Sequence, residues 1–150
     1  MVKHFLLAED DEDDIEIINE AIKNSGLSII LTSVIYCDGI FHSLTVPSLP
    51  DVIIVDGNLP GKTLLECLSE IREHEKLCNI PLVVLSNTSY KAVRDKSYAA
   101  GVNLYLEKPD SFTSMEDIIK RLFYIDWHLH PVLSSESFFQ IPIEADKKAI

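Results

Sequence analysis

Apolar and polar positions along this chain follow two alternating periods, and the switches between them outline the elements. His4-Phe5-Leu6-Leu7-Ala8 is a short apolar run that reads as a buried strand. From Asp13 to Asn24 the period becomes helical, with Ile15, Ile18, Ala21 and Ile22 on one face and Gly26 past the end. Ile29 to Tyr36 is β-branched and apolar, a second strand. A short helix is predicted over Ile40 to Val46, before the breakers Pro47 and Pro50. Asp51 to Asp56 is a third strand, continuously apolar inside, as expected where both sheet faces are covered. Asn58-Leu59-Pro60-Gly61 is a loop, and Leu64 to Glu75 is helical, with a stripe of Leu64, Leu65, Leu68 and Ile71. Pro81 to Ser86 is a fourth strand, and Tyr90 to Ala100 a fourth helix stopped by Gly101. Val102 to Leu106 is a fifth strand. Met115 to about Trp127 is a fifth helix, with Thr113 and Glu116 spaced as a capping box.

Five strands alternating with five helices predict an α/β fold: a doubly wound, five-stranded parallel sheet with right-handed crossovers. The common order for five such units is 2-1-3-4-5. There the chain reverses direction between strands 1 and 3, and ligands bind at the strand C-terminal ends at that point. This order brings Glu9 and Asp10, at the end of strand 1, next to Asp56, at the end of strand 3. Glu9 and Asp10 open a run of six acids, Glu9 to Asp14. Taken alone, the run has two readings. It can be a solvated helix N-terminus, where the dipole favours acids. It can also be charge gathered to hold a cation, since crowding carboxylates costs Coulomb energy. Strand order assigns Glu9 and Asp10 to the cation, leaves Asp11 as a neighbour at most, and leaves Glu12, Asp13 and Asp14 to cap and solvate the helix.

Three carboxylates suit Mg²⁺, a hard cation that takes oxygen ligands and keeps several waters. A carboxylate beside Mg²⁺ can attack phosphorus and become an aspartyl-phosphate, and Asp56 ends a rigid strand where it can project into solvent. Phosphoryl transfer also needs its equatorial oxygens positioned and neutralised. Ser86, ending strand 4, brings a hydroxyl. Lys108, just past strand 5, brings an ammonium suited to phosphate. A cis Lys108–Pro109 bond would be one way to aim that lysine inward. In isolation Lys108 reads as a solvated loop lysine, and Ser86 as a helix cap. Four strand ends converging on one mouth favour the joint reading.

Composition narrows the partners. One hundred and fifty residues suit one domain, and 47% hydrophobic with 25% charged residues is ordinary for a soluble protein. No apolar stretch approaches a membrane span, and no signal-peptide core opens the chain, so a cytoplasmic location is expected. The net charge of −11 disfavours nucleic acid as a partner. Cys37, Cys67 and Cys78 are odd in number and lack CxxC spacing, which predicts reduced, structural thiols. Residues 128–150 lie beyond the strand-helix pattern and are too short for a DNA-binding output domain. In this tail Phe138 to Ile143 reads as an extended segment covering a patch of the domain or a second copy. His128 and His130 read as surface residues, and Trp127 as an anchor for the end of the fifth helix.

Several segments together are highly specific: Phe5-Leu6-Leu7-Ala8-Glu9-Asp10-Asp11, Pro50 to Asp56 with Leu59-Pro60-Gly61, Pro81 to Ser86, and Ala100-Gly101 through Tyr105 to Lys108-Pro109. In these the chain resembles a receiver domain of two-component response regulators, of the chemotaxis-regulator type. The resemblance implies a stand-alone receiver over residues 1–127, a flavodoxin-like three-layer sandwich, with a tail over 128–150. It implies Asp56 as phosphoacceptor, charged by a phosphohistidine on a sensor histidine kinase or a histidine phosphotransfer protein. It implies Mg²⁺ on Asp10, Asp56 and the backbone carbonyl of Asn58, with Glu9 acting through water. Ser86 and Lys108 would contact the phosphoryl group. Ser86 and Tyr105 would form the switch, and the face of the fourth helix, fifth strand and fifth helix would change its affinity for a downstream protein. The resemblance also implies a monomer or weak homodimer that assists its own phosphorylation without turning over a metabolite.

The chain departs from the family at two places. Leu64 stands where a glycine is usual, and Asn87 where the residue after the serine is usually very small. Asn58 and Thr88 occupy positions that tune dephosphorylation, and neither is acidic, so a moderate to long phosphoryl lifetime is expected. Three rival readings meet specific objections. In a flavodoxin-type electron carrier the acids after strand 1 would repel the FMN phosphate. A haloacid-dehalogenase-type phosphatase needs a second acid where Asn58 stands. A degenerate receiver that signals by binding alone would not need all five site positions intact.

Overall fold

Helices cover both faces of the sheet, so the central strand is buried on every side chain. The computed structural model describes residues 1–44 and 48–143. In chain order the elements are β1 (Lys3–Ala8), α1 (Glu12–Ser25), β2 (Ile29–Val34), α2 (Cys37–His42), β3 (Val52–Asp56) and α3 (Leu64–Glu73). Then follow β4 (Leu82–Ser86), α4 (Lys91–Ala99), β5 (Leu104–Glu107), α5 (Phe112–Tyr124) and α6 (Ser135–Gln140). The sheet is parallel throughout, in the order β2-β1-β3-β4-β5. That is the doubly wound order expected from the sequence.

The period of two along each strand sorts the core into two layers. Phe5, Leu7, Val52, Ile54, Val83, Leu85, Leu104 and Leu106 pack with α1 and α5. Leu6, Ala8, Ile53, Val55, Leu82, Val84 and Tyr105 pack with α2 and α3. α5 alone buries Met115, Ile118, Ile119, Leu122 and Phe123, each worth about 1.5–3 kcal/mol. Gly26 (φ 72°) and Gly101 (φ 105°) end α1 and the turn after α4 in left-handed backbone that a β-carbon would strain.

Several expectations need correction. α2 begins at Cys37, three residues before the predicted start, and the end of the predicted helix, with the breaker Pro47, lies outside the described residues. Cys37 and Cys67 form a disulfide between α2 and α3, and only Cys78 is free. The expectation of reduced thiols failed because it weighed spacing along the chain. The fold packs these two helices on one face of the sheet and brings the Cα atoms to 5.9 Å.

α3 begins at Leu64 behind a Thr63 cap, whose hydroxyl accepts from the Glu66 N–H and donates to the Glu66 carboxylate. The helix start therefore needs no glycine at position 64. The capping box expected from Thr113 and Glu116 does not form. Ser111 caps α5 instead, accepting from the Ser114 N–H, and the helix ends three residues short of Trp127, which packs half-buried against the core.

Phe138 to Gln140 is helical rather than extended, and the backbone becomes extended only at Ile141. Ser134 caps the short helix α6, which turns Phe138 fully into the core. The segment covers a patch of the domain as expected, but as a helix. Arg121 donates to the Ile141 carbonyl at 2.6 Å, and the Leu133 N–H donates to the Asn103 carbonyl at 2.9 Å. Residues 144–150 lie outside the described residues. Among the described residues no helix is long and apolar enough to cross a membrane.

Candidate functional site

Backbone pairing carries on past the strand ends, and this positions the site. The β1–β3 register pairs Ala8 with Val55, so Glu9 and Asp56 leave the sheet side by side. Asp56 pairs with Leu85, and Ser86 with Glu107. Beyond the ladder the Glu9 N–H donates to the Val34 carbonyl at 2.9 Å, Gly57 N–H to Leu85 at 3.0 Å, and Lys108 N–H to Ser86 at 2.8 Å. The side chains of Glu9, Asp56, Ser86 and Lys108 thus rise from backbone held by the sheet itself.

Glu9, Asp10 and Asp56 each bring a carboxylate oxygen within 4.8 Å of the others. Glu9 and Asp56 are buried, while Asp10 is exposed. Oxygen-only ligands, one side of them open to water, fit a hard divalent cation that keeps part of its hydration. Lys108 enters the same cluster. Its ammonium lies 2.7 Å from Asp14, 2.9 Å from Glu9 and 3.0 Å from Asp56. Burial pulls the Lys108 pKa down, but hydrogen bonds to Asp14, Glu9 and Asp56 together outweigh it and hold the ammonium above its ordinary value. Burial pushes the Glu9 carboxyl up, and the nearby Asp56 charge adds to this. Lys108 and the Asp11 N–H oppose the shift without cancelling it. Four carboxylates face one ammonium here, so the site retains negative charge that a bound cation would relieve.

Ser86 is buried, and its hydroxyl accepts from the Thr88 N–H at 3.2 Å. Gly57 makes room for it: a β-carbon at position 57 would fall 2.5 Å from the Ser86 hydroxyl. Tyr105 is turned inward, 2% exposed, and its hydroxyl donates to the Thr88 carbonyl at 3.0 Å. Asn58 is exposed in the turn after Asp56, and Asn87 is exposed after Ser86.

The fold therefore gathers Glu9, Asp10, Asp56 and Lys108 in one cluster, with Ser86 on the neighbouring strand end and Asn58 in the turn beside Asp56. Three points differ from expectation. Asp14 is no mere solvated cap residue, because it is the nearest of the three acids to Lys108. Its place in the first turn of α1 aims it back over the sheet, which an uninterrupted run of acids does not reveal. Asp11 is the helix cap, accepting from the N–H groups of Asp13 and Asp14. Lys108 points inward without a cis bond, for no cis peptide occurs among the described residues. The ladder bond from its N–H to Ser86 sets its direction instead. Gly57 was missed; a glycine directly behind a strand-ending acid was the available signal.

A family model described as "Response regulator receiver domain" matches residues 5–121. The response regulator Rcp1 of Synechocystis sp. is 31% identical over 126 residues, covering 79% of this chain and 82% of its own length. The probable methanogenesis regulatory protein FilR2 of Methanothrix harundinacea is 33% identical over 86 residues, and the chain spans about half of that relative's length (56%). Among solved structures, the phosphorylated cyanobacterial phytochrome response regulator RcpA superposes with a TM-score of 0.74 at 30% identity, covering 89% of this chain and 98% of its own. A Mn²⁺-bound form of Rcp1 superposes at 0.67 with 28% identity, covering 78% of this chain and 88% of its own.

Proposed function

The chain belongs to the response regulator receiver family, and on that premise we propose that Asp56 accepts a phosphoryl group from a phosphohistidine on a sensor kinase or phosphotransfer protein. The observation that carries this reading is the cluster itself: three carboxylates within 4.8 Å of one another, with the Lys108 ammonium 3.0 Å from Asp56. An Asp56 carboxylate oxygen forms a bond to phosphorus as the phosphorus–nitrogen bond to histidine breaks, and the electron pair leaves with the imidazole. Asp10, Asp56 and the Asn58 carbonyl would hold Mg²⁺, with Glu9 acting through water, and the cation would neutralise the transferring oxygens. Lys108 leaves part of its carboxylate cage to pair with a phosphoryl oxygen, and the Ser86 hydroxyl donates to another. The carriage of Mn²⁺ by Rcp1 and of a phosphoryl group by RcpA supports the same use of this fold.

On this reading the protein is a switch that turns over no metabolite. A downstream protein binds the face of α4, β5 and α5, and kinase and receiver meet in the cytoplasm. Asn58 and Thr88 bring no carboxylate to activate water, so the adduct outlives a few seconds.

Incubation with Mg²⁺ and a small acyl phosphate, followed by intact mass, tests the assignment. One phosphate adduct is expected, absent in Asp56→Asn. A wild-type chain that gains no adduct and binds no Mg²⁺ sinks the reading, and timing the decay of the adduct checks its lifetime.

A further inference from the structure

Lys108 has three N–H donors and, among the described residues, three acids to receive them. Its ammonium lies 2.7 Å from Asp14, 2.9 Å from Glu9 and 3.0 Å from Asp56. Glu9 and Asp56 belong to the group of three carboxylates gathered at the strand ends, and Asp14 does not. The nearest partner of the lysine is therefore the one that the candidate cation site leaves out.

The start of α1 sets Asp14 apart from the acids before it. The Asp11 side chain accepts from the N–H groups of Asp13 and Asp14, which fixes the first turn. Ile15 and Ile18 pack into the core and hold that turn against the sheet. Asp11, Glu12 and Asp13 are exposed, whereas the Asp14 side chain is 29% exposed and leans on Lys108. The helix dipole favours an acid in this turn, so the fold places a carboxylate beside the lysine at little cost.

Glu9 and Asp56 carry a conflict that Asp14 escapes. Both bond the ammonium, and both belong to the carboxylate group suited to a divalent cation. Two cations drawn to the same pair of carboxylates repel each other. The Lys108 side chain is only 11% exposed, so an ammonium stripped of every acid would be buried without a partner, a costly state.

We propose that Asp14 is a positioning residue that keeps Lys108 bonded while Glu9 and Asp56 turn to a divalent cation, so that ammonium and cation share the site instead of competing for it. This rests on the reading of Asp56 as a phosphoacceptor that works with Mg²⁺. Phosphoryl transfer needs both positive charges at the transferring oxygens at once. Asp14 serves that need through the lysine alone.

Mg²⁺ titration of the full chain in four forms tests this: wild type, Asp14→Asn, Lys108→Met and the double variant, each checked as folded by circular dichroism. Asp14→Asn should weaken Mg²⁺ binding about tenfold, because Lys108 then rests on Glu9 and Asp56 alone. In the Lys108→Met background the same change should alter Mg²⁺ affinity by no more than about twofold. Asp13→Asn removes an equal charge from the same turn without touching Lys108, and it too should stay within about twofold of wild type. Phosphorylation by a small acyl phosphate gives a second signature. Asp14→Asn should need about ten times more Mg²⁺ for half-maximal rate, with the maximal rate within about threefold of wild type. Equal losses of affinity from Asp14→Asn in both backgrounds, or from Asp13→Asn, overturn the role of Asp14 and leave the phosphoacceptor reading intact. A maximal rate that falls while the Mg²⁺ requirement stays unchanged does the same. A wild-type chain that binds no Mg²⁺ and gains no adduct overturns both.

Discussion

Lys108 and Arg72 are two partly buried cations at opposite ends of the same sheet, and their surroundings could hardly differ more. Lys108 lies at the strand C-terminal ends among the carboxylates of Glu9, Asp14 and Asp56. Arg72, on α3, reaches the loops that enter β4 and β5. It donates to the carbonyls of Gly101, Leu77 and Ile80 and to the Asn103 side-chain oxygen. Every one of these partners is neutral. Burial lowers the Arg72 pKa, whereas carboxylates raise that of Lys108. The planar fork of arginine suits a set of fixed acceptors, and the mobile ammonium suits partners that change. One cation closes a structure whose acceptors are all satisfied. The other belongs to a cluster that stays negative after it has been counted, which is what the proposed cation and phosphoryl group would need.

The largest expected effect breaks the structural end. Arg72→Met leaves several carbonyls without donors and should cost roughly 3 kcal/mol in urea unfolding, yet the folded fraction should still take phosphate on Asp56. Lys108→Met should show the opposite balance. Its phosphorylation by a small acyl phosphate should slow by about 100-fold, the usual scale for losing one such donor, with a smaller stability loss. The pH dependence of that loss has a definite sign. A lysine whose folded-state pKa is raised adds stability that is complete below its unfolded value, near 10.4, and that fades as pH rises through the folded value. The gap between wild type and Lys108→Met in Mg²⁺-free buffer should therefore hold steady across neutral pH and close only in strong alkali. A gap that closes near neutrality would deny Lys108 this role.

Smaller effects separate the two halves of the acidic run. Asp10→Asn relieves repulsion at the site, and without Mg²⁺ it should stabilise the fold by about 1 kcal/mol. Titration of the same variant should find Mg²⁺ binding weakened more than tenfold. Asp11→Ala removes the cap of α1 and should cost about 1 kcal/mol while leaving Mg²⁺ affinity within a factor of about two. Equal effects of these two changes on Mg²⁺ would mean that the run acts as one undivided patch.

Much of this was legible along the chain, because period is a local property and five such units have one common strand order. Apolar runs of five or six residues separated by helical stripes dictate a parallel sheet. The 2-1-3-4-5 order then carries Glu9, Asp10, Asp56, Ser86 and Lys108 to one mouth. The remainder depended on groups meeting across space. Asp14 reads as an ordinary acid of a helix start until the fold places Lys108 beside it, and Arg72 meets its loop carbonyls only across space. Cys37 and Cys67 lie 30 positions apart and pair only because α2 and α3 share a sheet face. Phe138 looked like part of an extended tail, since six residues are too few for a helical period to declare itself, and burial against the core decided otherwise.

Sequence alone determined which strands exist, which end of the sheet carries chemistry, and which acid is the acceptor candidate. Tertiary structure decided which acids hold the lysine and how the C-terminal segment docks. The division has one physical cause. Periodicity records which side of an element meets the core, while hydrogen bonds and ion pairs need partners within about 3 Å, and only the folded chain selects those.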